Sequence, residues 1–194
     1  VIVSLSTLST AALAEIKVGI ILGFTGPIES LTPAMRDGAR MAFDEASNSG
    51  NLLGGESITI LEADSTCVDS AAATAAAEGL VADGVTAIMG ADCSGVTGAI
   101  NANVAVPNGL IMVSPSATSP GLSSVPDNGT FWRTAPSDAK GGQVLAKLAL
   151  SRGIESIAVT YTNNGYGKGL AEVFEKSFTS GGGTITASAS HEDG

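Results

Sequence analysis

Aromatic side chains are scarce in this sequence, at 4% of residues, so any core has to be built from Ala, Val, Ile and Leu. Histidine occurs once, at His191. A Ser-His-Asp arrangement would depend on that one residue near the end of the chain. Two cysteines and one histidine are too few for a zinc site. Basic residues are also few: 9 Lys and Arg stand against 19 Asp and Glu, a formal net charge of −10. Nucleic acid and anionic membrane surfaces both require clustered Lys and Arg, so neither is expected as a partner. No G-x-S-x-G elbow occurs. The run Gly165-Tyr166-Gly167-Lys168-Gly169 lacks the spacing of a phosphate loop and has Gly after its lysine. Gly19, Gly23 and Gly26 do not match the dinucleotide fingerprint. Catalysis, a metal and a cofactor are therefore not expected.

What is present points to a secreted globular chain. Its 194 residues are enough for one or two compact domains. With 44% apolar and 14% charged residues it can bury a core, which argues against wholesale disorder. Residues 1–14 carry no charge and end in Ala12-Leu13-Ala14, immediately before Glu15. This pattern fits the apolar region and cleavage site of a secretory signal, the alternative being an ordinary buried strand or helix. The run is too short for an ordinary membrane-crossing helix. In an exported chain the even pair Cys67 and Cys93 invites a disulfide. Such a bridge contributes about 3–4 kcal/mol on the chain-entropy model. Two buried free thiols are the alternative.

Short apolar runs alternate with segments of helical spacing. Strands are expected at 16–22, 57–62, 85–89, 110–113, 131–134, 157–161 and 184–188. Helices are expected at 34–47, 70–82, 94–104, 138–151 and 169–178. The third begins at Ser94 as N-cap, and the fourth turns Val144, Leu145, Leu148 and Ala149 inward. The fifth carries Leu170, Val173, Phe174 and Phe178 on one stripe. Strands separated by helices of this length give βαβ units and a mostly parallel sheet, an α/β fold. The Ser-, Pro- and Gly-rich stretch 114–129 reads as a loop, and the composition shift over 114–136 marks a domain crossover.

Two segments suit a binding site, because both follow strands where open α/β sheets take ligands. Gly90-Ala91-Asp92-Cys93-Ser94-Gly95 opens a helix, whose unpaired N–H groups and dipole favour an anion such as a carboxylate. Ser94 either donates a hydroxyl to the ligand or only caps its helix. Ser114-Pro115-Ser116-Ala117-Thr118-Ser119-Pro120 is a loop of small and hydroxylated residues that lets a ligand approach the backbone. A plain surface loop is the alternative.

These residues resemble the leucine/isoleucine/valine-binding proteins of bacterial ABC transporters, a branch of the type I periplasmic binding proteins. The matching pieces run in order from Ile16 to about Ala171. They are Ile16-Lys17-Val18-Gly19, Gly26-Pro27-Ile28, Gly38-Ala39-Arg40, the pair Cys67 and Cys93, Gly90 with Cys93-Ser94, Ser114-Pro115 with Ala117-Thr118, Arg133-Thr134, and Tyr166-Gly167 with Gly169-Leu170-Ala171. The resemblance implies two Rossmann-like lobes that clamp an amino acid or related small carboxylate between them. Residues 15–135 would form the N-terminal lobe, and 136–194 the beginning of a second, incomplete one. By the same resemblance Ser94 and Thr118 hold the ligand carboxylate, and the Ser116 carbonyl accepts from an α-ammonium. Tyr166 closes over the ligand, and Cys67 and Cys93 form a first-lobe disulfide. Leu31 stands where many amino-acid binders carry an aromatic residue, which leaves larger, aromatic or simple carboxylate ligands open beside branched-chain ones. The acidic group that pairs with an α-ammonium in the family falls beyond Gly194.

The function implied is that of a monomeric periplasmic solute-binding protein, which delivers its ligand to the membrane permease of an ABC importer. A sensor or receptor ectodomain on the same fold is the first alternative, and a nucleotide-using α/β enzyme the second.

Overall fold

A computed structural model describes residues 15–192; the signal-like segment 1–14 lies outside them. Strand β1 (Ile16–Leu22) is apolar from Val18 onward, and its Ile20, Ile21 and Leu22 are fully buried, as expected of a parallel strand covered on both faces. It is followed by α1 (Thr32–Asn48), β2 (Ile58–Asp64), α2 (Ser70–Ala82), β3 (Ala87–Gly90), α3 (Ser94–Ile100), β4 (Ile111–Ser114) and β5 (Phe131–Arg133). The five strands form one parallel sheet in the order β2-β1-β3-β4-β5. Its core joins Ile21, Ile88 and Met112 of the sheet to Ala73, Ala77 and Leu80 of α2 and to Val96 and Ile100 of α3. Asp69 caps α2 by accepting from the N–H groups of Ala71 and Ala72, and Gly84, at φ +86°, turns the chain out of it.

The chain then builds a second unit: α4 (Asp138–Ser151), β6 (Ser156–Thr162), α5 (Gly165–Ser180) and β7 (Thr184–His191). β6 and β7 pair in parallel as a separate sheet. Ala146, Ala149, Phe174 and Phe178 form its core, with the rings of Phe174 and Phe178 stacked at 5.6 Å.

Four expectations need correction. Ser94 does not cap α3: the cap position is Cys93, without a side-chain bond, and the Ser94 hydroxyl instead accepts the Ser119 N–H at 3.1 Å. The same helix runs past 104, through a π-helical stretch Asn101–Ala105 into a last turn Val106–Asn108. Pro107 offers no N–H to that ladder, and a widened turn accommodates the loss.

In α4 the inward residues are Gly142, Ala146 and Ala149, whereas Val144, Leu145 and Leu148 are 51%, 54% and 43% exposed. The reason is close helix packing. A methyl group on Gly142 would lie 2.8 Å from Val173 Cγ1 and 3.1 Å from the Phe174 nitrogen, so α4 turns its small face to α5.

Helix α5 starts at Gly165, not at 169, because Asn164 accepts the N–H groups of Tyr166 and Gly167. Gly167 is the residue that admits this turn. A methyl group there would sit 2.4 Å from the Thr162 carbonyl oxygen.

Candidate functional site

The loops that leave the C-terminal ends of β1, β2, β3 and β4 meet at one edge of the first sheet, and the start of α5 faces them. Between the two units lies a cleft of about 400 Å³ lined by residues from both. Ser94, Ser116, Thr118, Tyr166 and Leu31, all singled out from the sequence, line this same cleft.

The first-sheet wall has an apolar part and a polar floor. Pro27, Ile28, Leu31 and Met35 provide the apolar part. They sit on the β1–α1 connection and the first turn of α1. That connection is anchored by Asp64, which accepts from the Thr25 hydroxyl at 2.6 Å, the Thr25 N–H at 3.3 Å and the Thr66 N–H at 2.8 Å. Partial burial pushes the Asp64 carboxyl up, but these hydrogen bonds outweigh it and hold the group below its ordinary value.

The disulfide Cys67–Cys93 ties the β2–α2 loop to the start of α3, with Cα atoms 5.2 Å apart. Beside it Asp92 is 3% exposed. Its Oδ2 accepts the Gly23 N–H at 2.7 Å, and its Oδ1 accepts the Cys93 N–H at 2.9 Å and the Ser65 hydroxyl at 3.3 Å.

The floor is made by α3 and the loop after β4. The Ser94 hydroxyl accepts from Ser119, which leaves its own proton free to be donated. Ser116 donates its hydroxyl to the Asp92 carbonyl at 3.0 Å. The loop is pinned from beneath by Arg133, whose guanidinium donates to the Ala117 and Ser119 carbonyls at 3.0 and 2.8 Å and to the Ser123 hydroxyl at 2.6 Å. The Thr118 carbonyl accepts the Asp138 N–H at 2.9 Å, joining the loop to the start of α4.

The opposing wall is Thr162 at the end of β6, Asn164 and the half-exposed Tyr166 in the first turn of α5. The two units approach through glycines. A methyl group on Gly165 would lie 3.4 Å from the Gly95 Cα, and one on Gly169 would lie 2.7 Å from the Ser119 Oγ and 3.0 Å from the Pro120 Cδ. The N-terminal turns of α3 and α5 thus border the same space, and both carry the positive end of a helix dipole.

A second hollow of about 500 Å³ lies on the β6–β7 face, among Leu145, Ile157, Val159, Tyr161, Leu170 and Phe174. Its lining belongs to one unit, and of its polar groups Thr160 and His191 are bonded to one another. The cleft is the better site.

Met35, Asp92, Thr162 and Asn164 also line the cleft and were not assigned roles from the sequence. The strand-end rule that located Ser94 and Ser116 applies equally to β6, and would have located Thr162 and Asn164. Met35 carried only a helical-face signal. Asp92 had no signal beyond its place in the Gly90–Gly95 segment.

Two parallel α/β units facing one another across a cleft with a hydroxyl-rich floor and an apolar wall have the architecture of a type I periplasmic binding fold. The chain belongs to the periplasmic binding protein family, whose model matches residues 15–194. A Leu/Ile/Val-binding protein, BraC3, of Rhizobium johnstonii is 31% identical over 170 residues, covering 87% of this chain and 45% of that protein. The solved structure of a leucine-binding protein from Thermotoga maritima aligns with a TM-score of 0.78 at 25% identity, over 92% of this chain and 49% of that one. A solute-binding protein of R. palustris in complex with benzoate aligns with a TM-score of 0.77 at 22% identity, over 92% of this chain and 49% of that one, a likeness of fold alone. The chain spans about half the length of the curated relatives it matches.

Proposed function

We propose that the protein captures an amino acid or a related small carboxylate in the periplasm, between a lobe of residues 15–135 and a second lobe beginning at 136, and passes it to the membrane permease of an ABC importer. The observation that carries this reading is the convergence of Ser94, Ser116 and Thr118 from one unit and Tyr166 from the other on a single cleft. Ser94 and Thr118 donate their hydroxyls to the ligand carboxylate, with the first-turn amides of α3 behind them. The Ser116 carbonyl accepts from an ammonium group where the ligand has one. Tyr166 covers the ligand as the lobes close. Ile28, Leu31 and Met35 take the ligand's apolar portion.

The test is a thermal-shift screen of the mature full-length protein against amino acids and small carboxylates. A ligand that binds only the folded state raises the melting temperature by mass action. A clear shift with an aliphatic amino acid is expected. Shifts confined to aromatic acids would move the specificity while keeping the site. No shift with any carboxylate would refute the proposal.

A further inference from the structure

Glycine follows asparagine at three places, Asn108-Gly109, Asn128-Gly129 and Asn164-Gly165. Such a pair is open to an internal reaction, because glycine has no Cβ to keep its backbone nitrogen away from the preceding side-chain amide. The fold treats the three pairs differently. The Asn108 amide, in the last turn Val106–Asn108, donates to the Val104 carbonyl at 2.8 Å, and the Gly109 N–H donates to the Val106 carbonyl at 3.2 Å. Asn164 caps α5, its Oδ1 accepting the Tyr166 and Gly167 N–H groups at 3.0 and 2.9 Å. For either amide to swing over the next nitrogen, bonds that hold a helix end must break.

Asn128 is placed otherwise. It is exposed, with φ +52° followed by +77° at Gly129, the two left-handed residues of a type I′ turn. The Thr130 N–H closes this turn on the Asp127 carbonyl at 2.9 Å, and the Gly129 N–H donates to Asp127 Oδ1 at 2.9 Å. The hydrogen bonds of the turn are made by Asp127, Gly129 and Thr130, and the Asn128 amide contributes none. A short surface turn held only by bonds of its own opens locally at little cost.

We propose that Asn128 is a site of spontaneous modification, which converts to aspartate and isoaspartate in the folded protein ahead of the other two Asn-Gly pairs. The Gly129 nitrogen attacks the Asn128 Cγ. Its proton, which the Asp127 carboxylate already accepts in a hydrogen bond, passes to the leaving nitrogen. The Cγ–Nδ2 bond breaks and ammonia departs, leaving a cyclic imide. Water then opens the imide. Attack at Cγ restores the main chain with aspartate, and attack at the backbone carbonyl leaves the chain running through Cγ, one methylene longer. Either product exchanges a neutral amide for a carboxylate beside Asp127. The longer linkage falls just before β5, whose Arg133 pins the Ser116–Ser119 loop.

The test incubates the intact protein in mildly alkaline buffer made with heavy-oxygen water, followed by peptide mapping in the mass spectrometer. Methylation by a protein-isoaspartate carboxyl methyltransferase reads the isoaspartyl product. In the native protein Asn128 is expected to convert at least tenfold faster than Asn108 or Asn164, with heavy oxygen in both products. In urea the three rates are expected to converge, because only the fold separates them. Asn128→Gln, shown to be folded by circular dichroism, is expected to lose the main acidic species that ion exchange resolves on ageing. Comparable rates at the three sites in the native protein, or no conversion of Asn128 in it, would overturn the proposal. So would an unchanged order of rates in urea, which would assign the difference to local sequence instead of the turn.

Discussion

In the proposed site the Ser94 hydroxyl serves two purposes. It accepts from Ser119, which leaves its own proton free for a ligand. Ser94→Ala and Thr118→Ala are each expected to weaken carboxylate binding by about 1.5–3 kcal/mol, the usual loss for a hydrogen bond to a charged group, measured by titration calorimetry. Unchanged affinity in both would place the carboxylate elsewhere. Asp64 acts at a distance from the ligand. Its carboxyl is held below its ordinary value by bonds made in the folded state, so it favours folding above the unfolded-state value and loses that contribution as pH falls through the folded-state value. Asp64→Asn is therefore expected to be less stable than wild type near neutral pH, with the difference closing in the acid range. A difference that persists at acid pH would mean that the charge is not the cause.

Elements were legible in the sequence where local signals and packing agreed. The run IKVGIIL became β1 with the bounds expected, since every neighbouring element buries it. The Ala-rich α2 kept its expected face, with Ala73, Ala77 and Leu80 inside. The errors in α4 and α5 share a source, contact between elements that no local pattern encodes. Helix α4 turned its small residues inward because α5 approaches at Gly142. The first turn of α5 looked like a glycine loop because its cap, Asn164, and the fit of Gly167 under Thr162 are three-dimensional facts. The Gly165 and Gly169 face is where the two units meet, so Gly169→Leu is expected to prop the lobes apart and weaken ligand binding at least tenfold with little change in melting temperature. Solution scattering should then show a larger radius of gyration in the presence of ligand than wild type has. A variant that binds and closes normally would show that this contact does not govern closure. The disulfide is an element-scale clamp as well. The double variant Cys67→Ser, Cys93→Ser opens a loop with a sequence separation of 26, for an expected loss of about 3–4 kcal/mol by denaturant unfolding; a loss below ~1 kcal/mol would assign the clamp a local role.

For the whole molecule, the sequence pattern specified an α/β protein with a mostly parallel sheet, and the resemblance added the second lobe and named residues that line the cleft. Neither specified the floor's architecture. That Arg133 pins the site loop, or that Asp92 stands as a charged group in the wall, depends on chain segments far apart in sequence meeting at the ends of β1 to β4. Val144, Leu145 and Leu148 on α4 and the hollow on the β6–β7 face give the second unit an exposed apolar surface, of the kind that associates with other protein surfaces. Leu145→Gln with Leu148→Gln is expected to reduce self-association of the 194-residue chain produced alone, as read by light scattering, and no reduction would clear that face.

The most direct test of the central claim, that the two units hold a ligand between them, is a crystal structure of the intact protein with a ligand found in the thermal-shift screen. The expected result is a carboxylate within hydrogen-bonding distance of the Ser94 and Thr118 hydroxyls, with Tyr166 over the ligand's other face. A ligand seated in the apolar hollow on the β6–β7 face, or bound to one unit without contact from the other, would contradict it.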